Sequence, residues 1–299
     1  MSLKKHSILF VVIILVIAAL FFGAVMTATQ FFLGQSSNLP FSSKIGVITI
    51  SGTISDSSQI ISQIIEFRKD KRIKAIIIRI DSPGGGVGAS QEIYREIRRT
   101  IPVKKVITSM GGIAASGGYY IASASDKIVA NPGTLTGSIG VIMEFLQLHE
   151  LSQKIGVSME IIKGGEYKDI GSPYRKFTEK DKRLLEGIIS EIREQFINAV
   201  AQGRNLPVDT VKEIADGRII SGATAKELGL VDLLGNFQDA VDLAKEMTGI
   251  KGDAELVYQK KRGSRLWEYF LKNTADTLTR MLLDNLKPRL EFRWNADLS

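Results

Sequence analysis

The sequence predicts an α/β domain with a mainly parallel sheet, because strand-like apolar runs alternate with segments of helical periodicity. Ile45–Ser51 reads as a short apolar strand, and Ile73–Ile80 is a β-branched run that indicates burial on both faces. Between them, residues 57–69 place isoleucine and phenylalanine at helical spacing. A strand, a helix and a second buried strand in this order are typical of parallel pairing.

The remaining elements continue this alternation. Further short strands are predicted at Val106–Ser109, Lys127–Ala130 and Met159–Lys163, and helices at Gln91–Arg99, at Ala114–Ser123 and from Thr178 to Gly203. Thr178 is a candidate N-cap of the last helix, with Asp181 three residues further on.

Composition excludes several classes of protein. The chain has 299 residues, 44% hydrophobic and 24% charged, which is typical of a folded domain. The absence of cysteine excludes a thiol nucleophile, disulfides and cysteine-ligated zinc, and no H-E-x-x-H motif is present. The net charge of +7 is spread along the chain without aromatic residues between basic ones, which favours an anionic membrane surface over nucleic acid. We therefore expect no metal and no cofactor.

The N-terminus predicts a membrane anchor. No Asp, Glu, Lys or Arg occurs between Lys5 and Lys44, and residues 8–26 (ILFVVIILVIAALFFGAVM) are almost continuously apolar. About 20 such residues cross a bilayer, whereas the apolar stretch of a cleaved signal peptide is shorter. We expect a cytoplasmic N-terminus at 1–7, a transmembrane signal anchor at 8–33 and a linker at 34–43. Lys4 and Lys5 would stay in the cytoplasm, which leaves the rest of the chain outside it.

Beyond the anchor, we expect one folded domain over residues 44–262 and an amphipathic helical tail over residues 263–299. The tail contains both tryptophans and a stripe of Leu, Phe and Met. This stripe fits packing on the core, contact between subunits or a position on a membrane surface.

Glycine-rich segments follow three of the strand-like runs: Asp81–Gly86, Gly111–Tyr120 and Thr134–Gly140. Glycines at the carboxyl ends of strands let backbone N–H groups approach a ligand, as an oxyanion hole requires. A phosphate-binding loop is disfavoured, because neither the Walker lysine spacing nor G-x-G-x-x-G is present. Simple tight turns remain the alternative.

Ser116 is the candidate nucleophile, because its small neighbours at a strand-to-helix turn resemble a nucleophile elbow. Only His6 and His149 could complete a Ser-His-Asp triad; the first precedes the membrane span and the second reads as a surface residue. A buried lysine can serve as the base instead. Lys168 is attractive because its loop is glycine-rich and follows a predicted strand, but composition does not choose it over other lysines.

Four segments resemble the bacterial signal peptide peptidase A family, of the short, single-domain type. They are DSPGGG at 81–86, AASGGYYIASASDKIVANPGTLTGSIGVI at 114–142, GEYKDIGSPYRKFTEKD at 165–181 and ADGRIISGATAKELGLVDLLG at 215–235. The similarity covers roughly residues 44–250. It implies Ser116 as nucleophile, Lys168 as general base and Ser138 as the residue that orients the lysine. It also implies Gly85 and Gly117 as oxyanion-hole donors.

The resemblance further implies a Clp-protease/crotonase-like ββα superhelical fold, assembled as a homo-oligomeric ring in which Ser and Lys come from adjacent protomers. The implied function is a membrane-bound Ser-Lys serine endopeptidase that degrades remnant signal peptides at the bacterial cytoplasmic (inner) membrane, with its catalytic domain on the extracytoplasmic side. Substrates should be extended apolar peptides whose P1 and P3 side chains fill hydrophobic pockets. Membrane lipid is the other expected partner, and nucleic acid is not expected.

Two alternatives belong to other functional classes. One is a non-proteolytic, crotonase-like acyl-CoA enzyme, because paired N–H groups also stabilise a thioester enolate. The other is a catalytically silent membrane scaffold that binds peptides. The predicted anchor and the set Ser116, Lys168 and Ser138 argue against both.

Overall fold

The computed structural model describes residues 16–25, 43–258 and 289–293. The chain comprises two compact units, Met1–Ser42 and Ser43–Ser299. In the first unit, residues 16–25 form a helix, α1. The rest of the predicted span 8–33, the N-terminal residues 1–7 and most of the linker lie outside the described residues. Over those three described stretches, no helix combines the length and the apolar character that a membrane crossing requires.

The second unit alternates strands and helices, as predicted. Its elements are β1 (Lys44–Ser51), α2 (Ser58–Lys69), β2 (Ile73–Ser82), β3 (Gly84–Gly86), α3 (Val87–Thr100), β4 (Lys105–Ala115), α4 (Gly117–Ala122), β5 (Lys127–Ala130), β6 (Leu135–Gly137), β7 (Ile142–Glu144), α5 (His149–Lys154), α6 (Glu179–Arg204), α7 (Val208–Ile214), β8 (Ile219–Ser221), α8 (Gly222–Glu227), β9 (Leu233–Leu234), α9 (Phe237–Thr248), β10 (Glu255–Tyr258) and β11 (Arg289–Arg293).

The main sheet has the strand order β10-β1-β2-β4-β5-β9, and every pair along this path is parallel. Strand β6 extends it at the carboxyl end of β4, and β8 pairs with β6 in the antiparallel direction. The sheet is therefore mixed but mainly parallel. A second, antiparallel sheet has the order β3-β11-β7.

Strand β2 is buried on both faces, which explains its continuous β-branched sequence. Ile76, Ile78 and Ile80 belong to a large core cluster shared with helices α3, α4 and α6. The alternate residues Ala75 and Ile77 belong to a second cluster, formed with the inner face of α9. Side chains alternate between the faces of a strand, so a strand between two helical layers must be apolar at nearly every position.

Two predicted elements between residues 44 and 258 differ from the structure. The predicted helix Ala114–Ser123 is shorter, because Ala114 and Ala115 end β4 and only Gly117–Ala122 is helical. The predicted strand Met159–Lys163 is not a strand, and its residues are exposed. The apolar pattern there reflects an exposed surface, since no strand in the described residues pairs with it.

The predicted helical tail is wrong for Arg289–Arg293, which form strand β11. This strand pairs with β3 on one side and β7 on the other. The rest of the predicted tail between residues 263 and 299 lies outside the described residues. The backbone partners of β11 lie about 150 to 200 residues away in sequence, and such long-range pairing commonly overrides local helical periodicity.

Candidate active site

Ser116 occupies the junction between β4 and α4. Its backbone has φ 52° and ψ −116°, and its side chain is 1% exposed. A positive φ is costly for a residue other than glycine, so the surrounding contacts must hold it. The Ser116 N–H donates to the Gly137 carbonyl oxygen at 2.9 Å, and its carbonyl oxygen accepts the Tyr120 N–H at 2.8 Å. Ser116 therefore sits in the strained turn that the sequence predicts.

The turn between β2 and β3 brings a glycine backbone beside Ser116. Gly84 has φ +105°, and a Cβ added there would lie 2.8 Å from the Gly117 nitrogen. A Cβ added at Gly85 would lie 2.2 Å from the Ile54 carbonyl oxygen. Ser82 holds the turn, because its Oγ donates to the Gly52 carbonyl at 2.6 Å and accepts the Gly84 N–H at 3.1 Å. Only glycine fits this close approach of backbones.

The backbone N–H of Gly85 faces away from Ile54. The Ile54 N–H donates to the Gly84 carbonyl oxygen at 2.8 Å, and the Ile54 carbonyl oxygen accepts the Gly86 N–H at 2.7 Å. Because N–H groups alternate in direction along a strand, the Gly85 N–H points to the other side. A Cβ added at Gly117 would lie 3.2 Å from that nitrogen. Gly85 and Gly117 thus lie close together beside Ser116, as an oxyanion hole requires, and their role as donors stays a prediction.

Ser138 lies on the loop that supports Ser116. It directly follows Gly137, whose carbonyl oxygen accepts the Ser116 N–H, and its own N–H donates to the Arg218 carbonyl at 2.8 Å. Ser138 is 7% exposed and has φ 51°, so both serines sit in strained, buried turns. The fold therefore brings four predicted site residues into one region: Ser116, Gly85, Gly117 and Ser138. The contact of Ser138 with a lysine stays a prediction.

Lys168 lies outside this cluster, on a segment that is exposed from residue 157 to residue 168. Its backbone N–H donates to the Gly165 carbonyl at 3.2 Å. Among the described hydrogen bonds, none joins its side chain to Ser116 or Ser138. In the single chain the predicted base is therefore exposed whereas Ser116 is buried, and the contact between the two stays a prediction.

A network of charged groups orders the loop next to Lys168. Asp169 lies 2.9 Å from Arg175 Nε and 2.7 Å from Lys163 Nζ, and Arg175 also contacts Asp181 at 2.5 Å. Hydrogen bonds from Arg175, and then from Lys163, lower the pKa of Asp169 to about 2. Asp181 in turn forms a capping box with Thr178, the predicted N-cap of α6. The loop is anchored to a helix although its outer face is exposed.

The chain before Lys168 exposes many large apolar side chains. We call residues 146–162 the apolar arm. The most exposed residue is Ile162 at 97%, and the others above one half are Leu151, Ile155, Val157 and Met159. Contiguous apolar surface of this kind marks interaction sites on soluble domains.

An aromatic pocket adjoins Ser116 and contains a residue of β11. Phe292 is fully buried, with its ring centroid 5.2 Å from that of Tyr120 and 4.6 Å from that of Phe196. Tyr94 completes the cluster at 5.0 Å from Tyr120. Burial raises the pKa of Tyr120 to about 12 and also raises the pKa of Tyr94, so both hydroxyl groups are neutral at neutral pH.

Sequence reasoning did not find this strand. The available signal is the alternation of polar and apolar residues in residues 289–293 (RLEFR), which is typical of a short strand. The longer helical pattern before these residues led to the prediction of a helix across them as well.

His149 has a local structural contact. Its Nδ1 lies 2.9 Å from the Tyr174 carbonyl oxygen, which requires Nδ1 to be the donor. In the part of the chain that the structure describes, no three His, Cys, Asp or Glu side chains cluster closely enough to hold a metal ion.

Comparison with known proteins agrees with the fold. Peptidase family S49 matches residues 99–251, which include Ser116, Ser138 and Lys168, and Clp protease matches residues 41–134. A Synechocystis sp. chain with a provisional protease name is 44% identical over 70% of this chain and 76% of its own length. An Enterococcus faecium chain, provisionally named signal peptide peptidase SppA, is 37% identical over 68% of this chain and 63% of its own. The chloroplastic serine protease SPPA of Arabidopsis thaliana is 39% identical over 69% of this chain and 30% of its own. This chain belongs to Peptidase family S49, within the Clp-protease/crotonase superfamily, and is a serine protease.

Proposed function

We propose that this chain is a membrane-anchored serine endopeptidase that degrades signal peptides left in the membrane after secretory proteins are cleaved. The observation that carries the proposal is the strained, buried Ser116 beside Gly85 and Gly117. A serine protease needs a hydroxyl nucleophile and backbone donors for the developing oxyanion at one point.

In the proposed reaction, the Ser116 hydroxyl attacks the carbonyl carbon of the scissile bond. The N–H groups of Gly85 and Gly117 stabilise the negative charge that develops on the carbonyl oxygen. Lys168 takes the hydroxyl proton and returns it to the leaving amine, and Ser138 orients the lysine amine by a hydrogen bond. Lys168 then takes a proton from a water molecule, which attacks the acyl-enzyme in the same oxyanion hole and releases the Ser116 hydroxyl.

Lys168 comes from an adjacent subunit in this proposal. An amine can act as a base near neutral pH only when burial disfavours its charged form, and Lys168 is exposed in the single chain. A second copy that covers the apolar arm would bury this segment and remove its exposed apolar surface from water. One contact between subunits would therefore complete the site and give the apolar arm a partner.

The proposed substrates are extended apolar peptides. The aromatic cluster around Tyr120, one helical turn after Ser116, favours a large apolar P1 side chain. Signal peptides carry an apolar stretch of about 7–15 residues that supplies such side chains. The predicted anchor at 8–33 would hold the protease at the cytoplasmic membrane, on its outer side, where these peptides remain.

Covalent labelling with a fluorophosphonate, together with cleavage of an apolar peptide, tests this function. We expect the full-length chain in detergent to label at Ser116 and cleave the peptide. Ser116→Ala should abolish both signals, and Lys168→Ala should reduce both by at least about a thousandfold. Lys182→Ala, which removes an exposed lysine from α6, is the matched control and should have wild-type activity.

Full cleavage by either site variant would refute the mechanism. Turnover of an acyl-CoA without peptide cleavage would favour the crotonase-like alternative, and peptide binding without labelling would favour the scaffold.

Coexpression of two inactive variants tests whether the dyad spans two subunits. If Ser116→Ala and Lys168→Ala chains mix at random in one ring, about a quarter of the subunit boundaries pair an intact serine with an intact lysine. We therefore expect about a quarter of the wild-type activity, and none from a chain that carries both substitutions. No recovery in mixed rings, verified by two affinity tags, would place both residues of the dyad in one chain.

A further inference from the structure

A buried serine of helix α3 contacts both segments that carry the proposed oxyanion donors. Ser90 is fully buried, and its Oγ donates to the Gly86 carbonyl oxygen at 3.0 Å. A Cβ added at Gly117 would lie 2.6 Å from the same Oγ and 3.2 Å from the Gly85 nitrogen. The Ser90 hydroxyl is therefore bonded to the turn that contains Gly85 and packed against Gly117.

Helix propensity does not account for a serine at this position. A serine inside a helix that bonds the carbonyl four residues earlier slightly destabilises the helix, and alanine is the better helix former. The neighbouring buried positions Ile93 and Ile97 are apolar, so the hydroxyl lies at the edge of the core. A role in the adjacent site would offset the cost of this hydroxyl to the helix.

The glycine turn depends on bonds from other segments for its shape. Three consecutive glycines, Gly84 to Gly86, have little conformational preference of their own, and the first two have positive φ. The Ile54 N–H donates to the Gly84 carbonyl at 2.8 Å, and the Gly86 N–H donates to the Ile54 carbonyl at 2.7 Å. The bond from Ser90 fixes the remaining carbonyl, that of Gly86. Together these bonds set the direction of the Gly85 N–H, which lies between them.

The same hydroxyl fills the space beside Gly117. A separation of 2.6 Å is shorter than a Cβ and an oxygen atom can adopt, so Ser90 Oγ occupies the volume that a side chain at residue 117 would need. The contact limits how closely the first turn of α4 approaches α3 and the glycine turn. Two donors must converge on one oxygen atom, and a misplacement of about 1 Å in such a site costs about a hundredfold in rate.

We propose that Ser90 is a positioning residue of the oxyanion hole. Its hydroxyl, bonded to Gly86 and in contact with Gly117, fixes the separation and direction of the N–H groups of Gly85 and Gly117. Ser90 takes no proton and forms no bond with the substrate. This inference rests on the proposed function, because those two N–H groups must be the oxyanion donors.

Peptide cleavage per active site tests the proposal, with the sites of the full-length chain in detergent counted by fluorophosphonate labelling to completion. We expect Ser90→Ala to lower kcat per labelled site by at least about tenfold with KM within about twofold, because oxyanion stabilisation acts in the transition state. Counting labelled sites removes the contribution of unfolded chains. Ser90→Cys keeps a weaker donor and should give an intermediate kcat, which preserves the test if the alanine variant does not fold.

Thr100→Val is the matched control for the loss of a buried hydroxyl. Thr100 belongs to the same helix, is fully buried, and its Oγ1 donates to the carbonyl four residues earlier, that of Glu96, at 2.8 Å. It lies ten residues beyond Ser90, which is about 15 Å along the helix. We expect Thr100→Val to lose stability as Ser90→Ala does and to keep the wild-type kcat per labelled site.

A double-mutant cycle tests whether Ser90 acts through Gly117. Gly117→Ala alone should lower kcat by at least about tenfold, because its Cβ would displace Ser90 Oγ. In that variant the hydroxyl has already lost its position, so adding Ser90→Ala should cause no further loss. Independent effects would multiply instead.

Four results would overturn the proposal. Wild-type kcat per site in Ser90→Ala, or in Ser90→Cys where the alanine variant does not fold, would show that the hydroxyl positions nothing. An equal loss in Thr100→Val would reduce the effect to general packing of α3, and multiplied losses in the double variant would separate Ser90 from Gly117. A wild-type chain that neither labels nor cleaves would refute the proposed function and this inference with it, whereas the first three results would leave that function standing.

Discussion

The regions that carry Ser116 and Lys168 differ in how much of their final environment one chain provides. Ser116 is buried, and its backbone groups bond to the Gly137 loop and to α4. Lys168 lies on an exposed segment next to the apolar arm, where Ile162 is 97% exposed. One region is built by the fold, and under the proposed function the other is completed by a second subunit.

The strained backbone of Ser116 must be held in place by the residues around it. A residue other than glycine at positive φ costs of order 1–3 kcal/mol and persists only where its surroundings determine it. Ser116 and Ser138 both adopt this conformation, and their segments are joined by the pairing of β4 with β6 and by the hydrogen bond from the Ser116 N–H to the Gly137 carbonyl. The Lys168 loop instead depends on charged contacts of Asp169 with Lys163 and Arg175.

Among substitutions that keep both residues of the dyad, Gly85→Ala should produce the largest effect, because it disrupts the region that the chain builds alone. The new Cβ would lie 2.2 Å from the Ile54 carbonyl oxygen, so β3 must shift. We expect peptide cleavage to fall by at least about a hundredfold, as for loss of an oxyanion donor. The free energy of unfolding should fall by about 2 kcal/mol, as for overpacking.

Gly88→Ala is the matched control for this change. Gly88 is inside α3, and among the residues that the structure describes no atom outside its own helix turn lies within 4 Å of a Cβ added there. Alanine favours the helix, so stability should be equal or higher. Denaturant unfolding and peptide cleavage measure both variants. Wild-type cleavage by Gly85→Ala would show that this backbone does not supply an oxyanion donor.

Ile162→Asp should separate assembly from folding in the second region. Ile162 is almost fully exposed, so the free energy of unfolding should change by no more than about 0.5 kcal/mol. An aspartate buried between subunits would be unpaired, and we expect a smaller oligomer and at least about a tenfold loss of cleavage. Light scattering in detergent gives the mass of the oligomer.

Val103→Asp provides a control outside the apolar arm. Val103 is 64% exposed in the turn between α3 and β4, and this turn precedes β4 whereas Ser116 follows it. We expect wild-type mass and activity from this variant. An Ile162→Asp protein with the wild-type oligomeric mass would show that the apolar arm does not form the contact between subunits.

The two regions also differ in how well the sequence predicts them. The strands around Ser116 could be predicted because burial on both faces forces an apolar run such as Ile73–Ile80. Glycine at 84 and 85 marks the close backbone approach for the same reason: the fold leaves no room for a Cβ. Residues whose contacts all lie within one domain can thus be predicted from the local sequence pattern.

The errors fall where the partner is distant or lies outside the chain. Met159–Lys163 looks like a strand because its residues are apolar, but these side chains are exposed. The sequence predicts a helix at Arg289–Arg293 because the adjacent residues give no indication of its pairing with the distant strands β3 and β7. Lys168 could not be chosen by local chemistry, and only the family resemblance selected it.

Asp169→Asn should produce the smallest effect, because it loosens the Lys168 loop without removing a proposed catalytic group. The amide is isosteric but loses the charged contacts with Arg175 and Lys163, so we expect about a threefold fall in kcat with KM little changed. Glu166→Gln is the matched control, because its pair with Lys180 joins side chains that are 59% and 68% exposed and such pairs contribute little. Equal kcat values for the two variants would show that the Asp169 network does not position Lys168.

The lowered pKa of Asp169 gives the pH dependence of this loop. A carboxyl whose pKa is lower in the folded chain contributes stability above its unfolded pKa, about 3.9, and loses that contribution as the pH falls through its folded value. The folded pKa of about 2 places that loss between about pH 4 and pH 2. The Asp169 network should therefore be constant from pH 5 to 9, and any pH dependence of kcat there must come from other groups. Carboxyl ¹³C NMR of the wild-type chain measures the midpoint, and a midpoint near 4 would show that Arg175 and Lys163 do not hold the loop in solution.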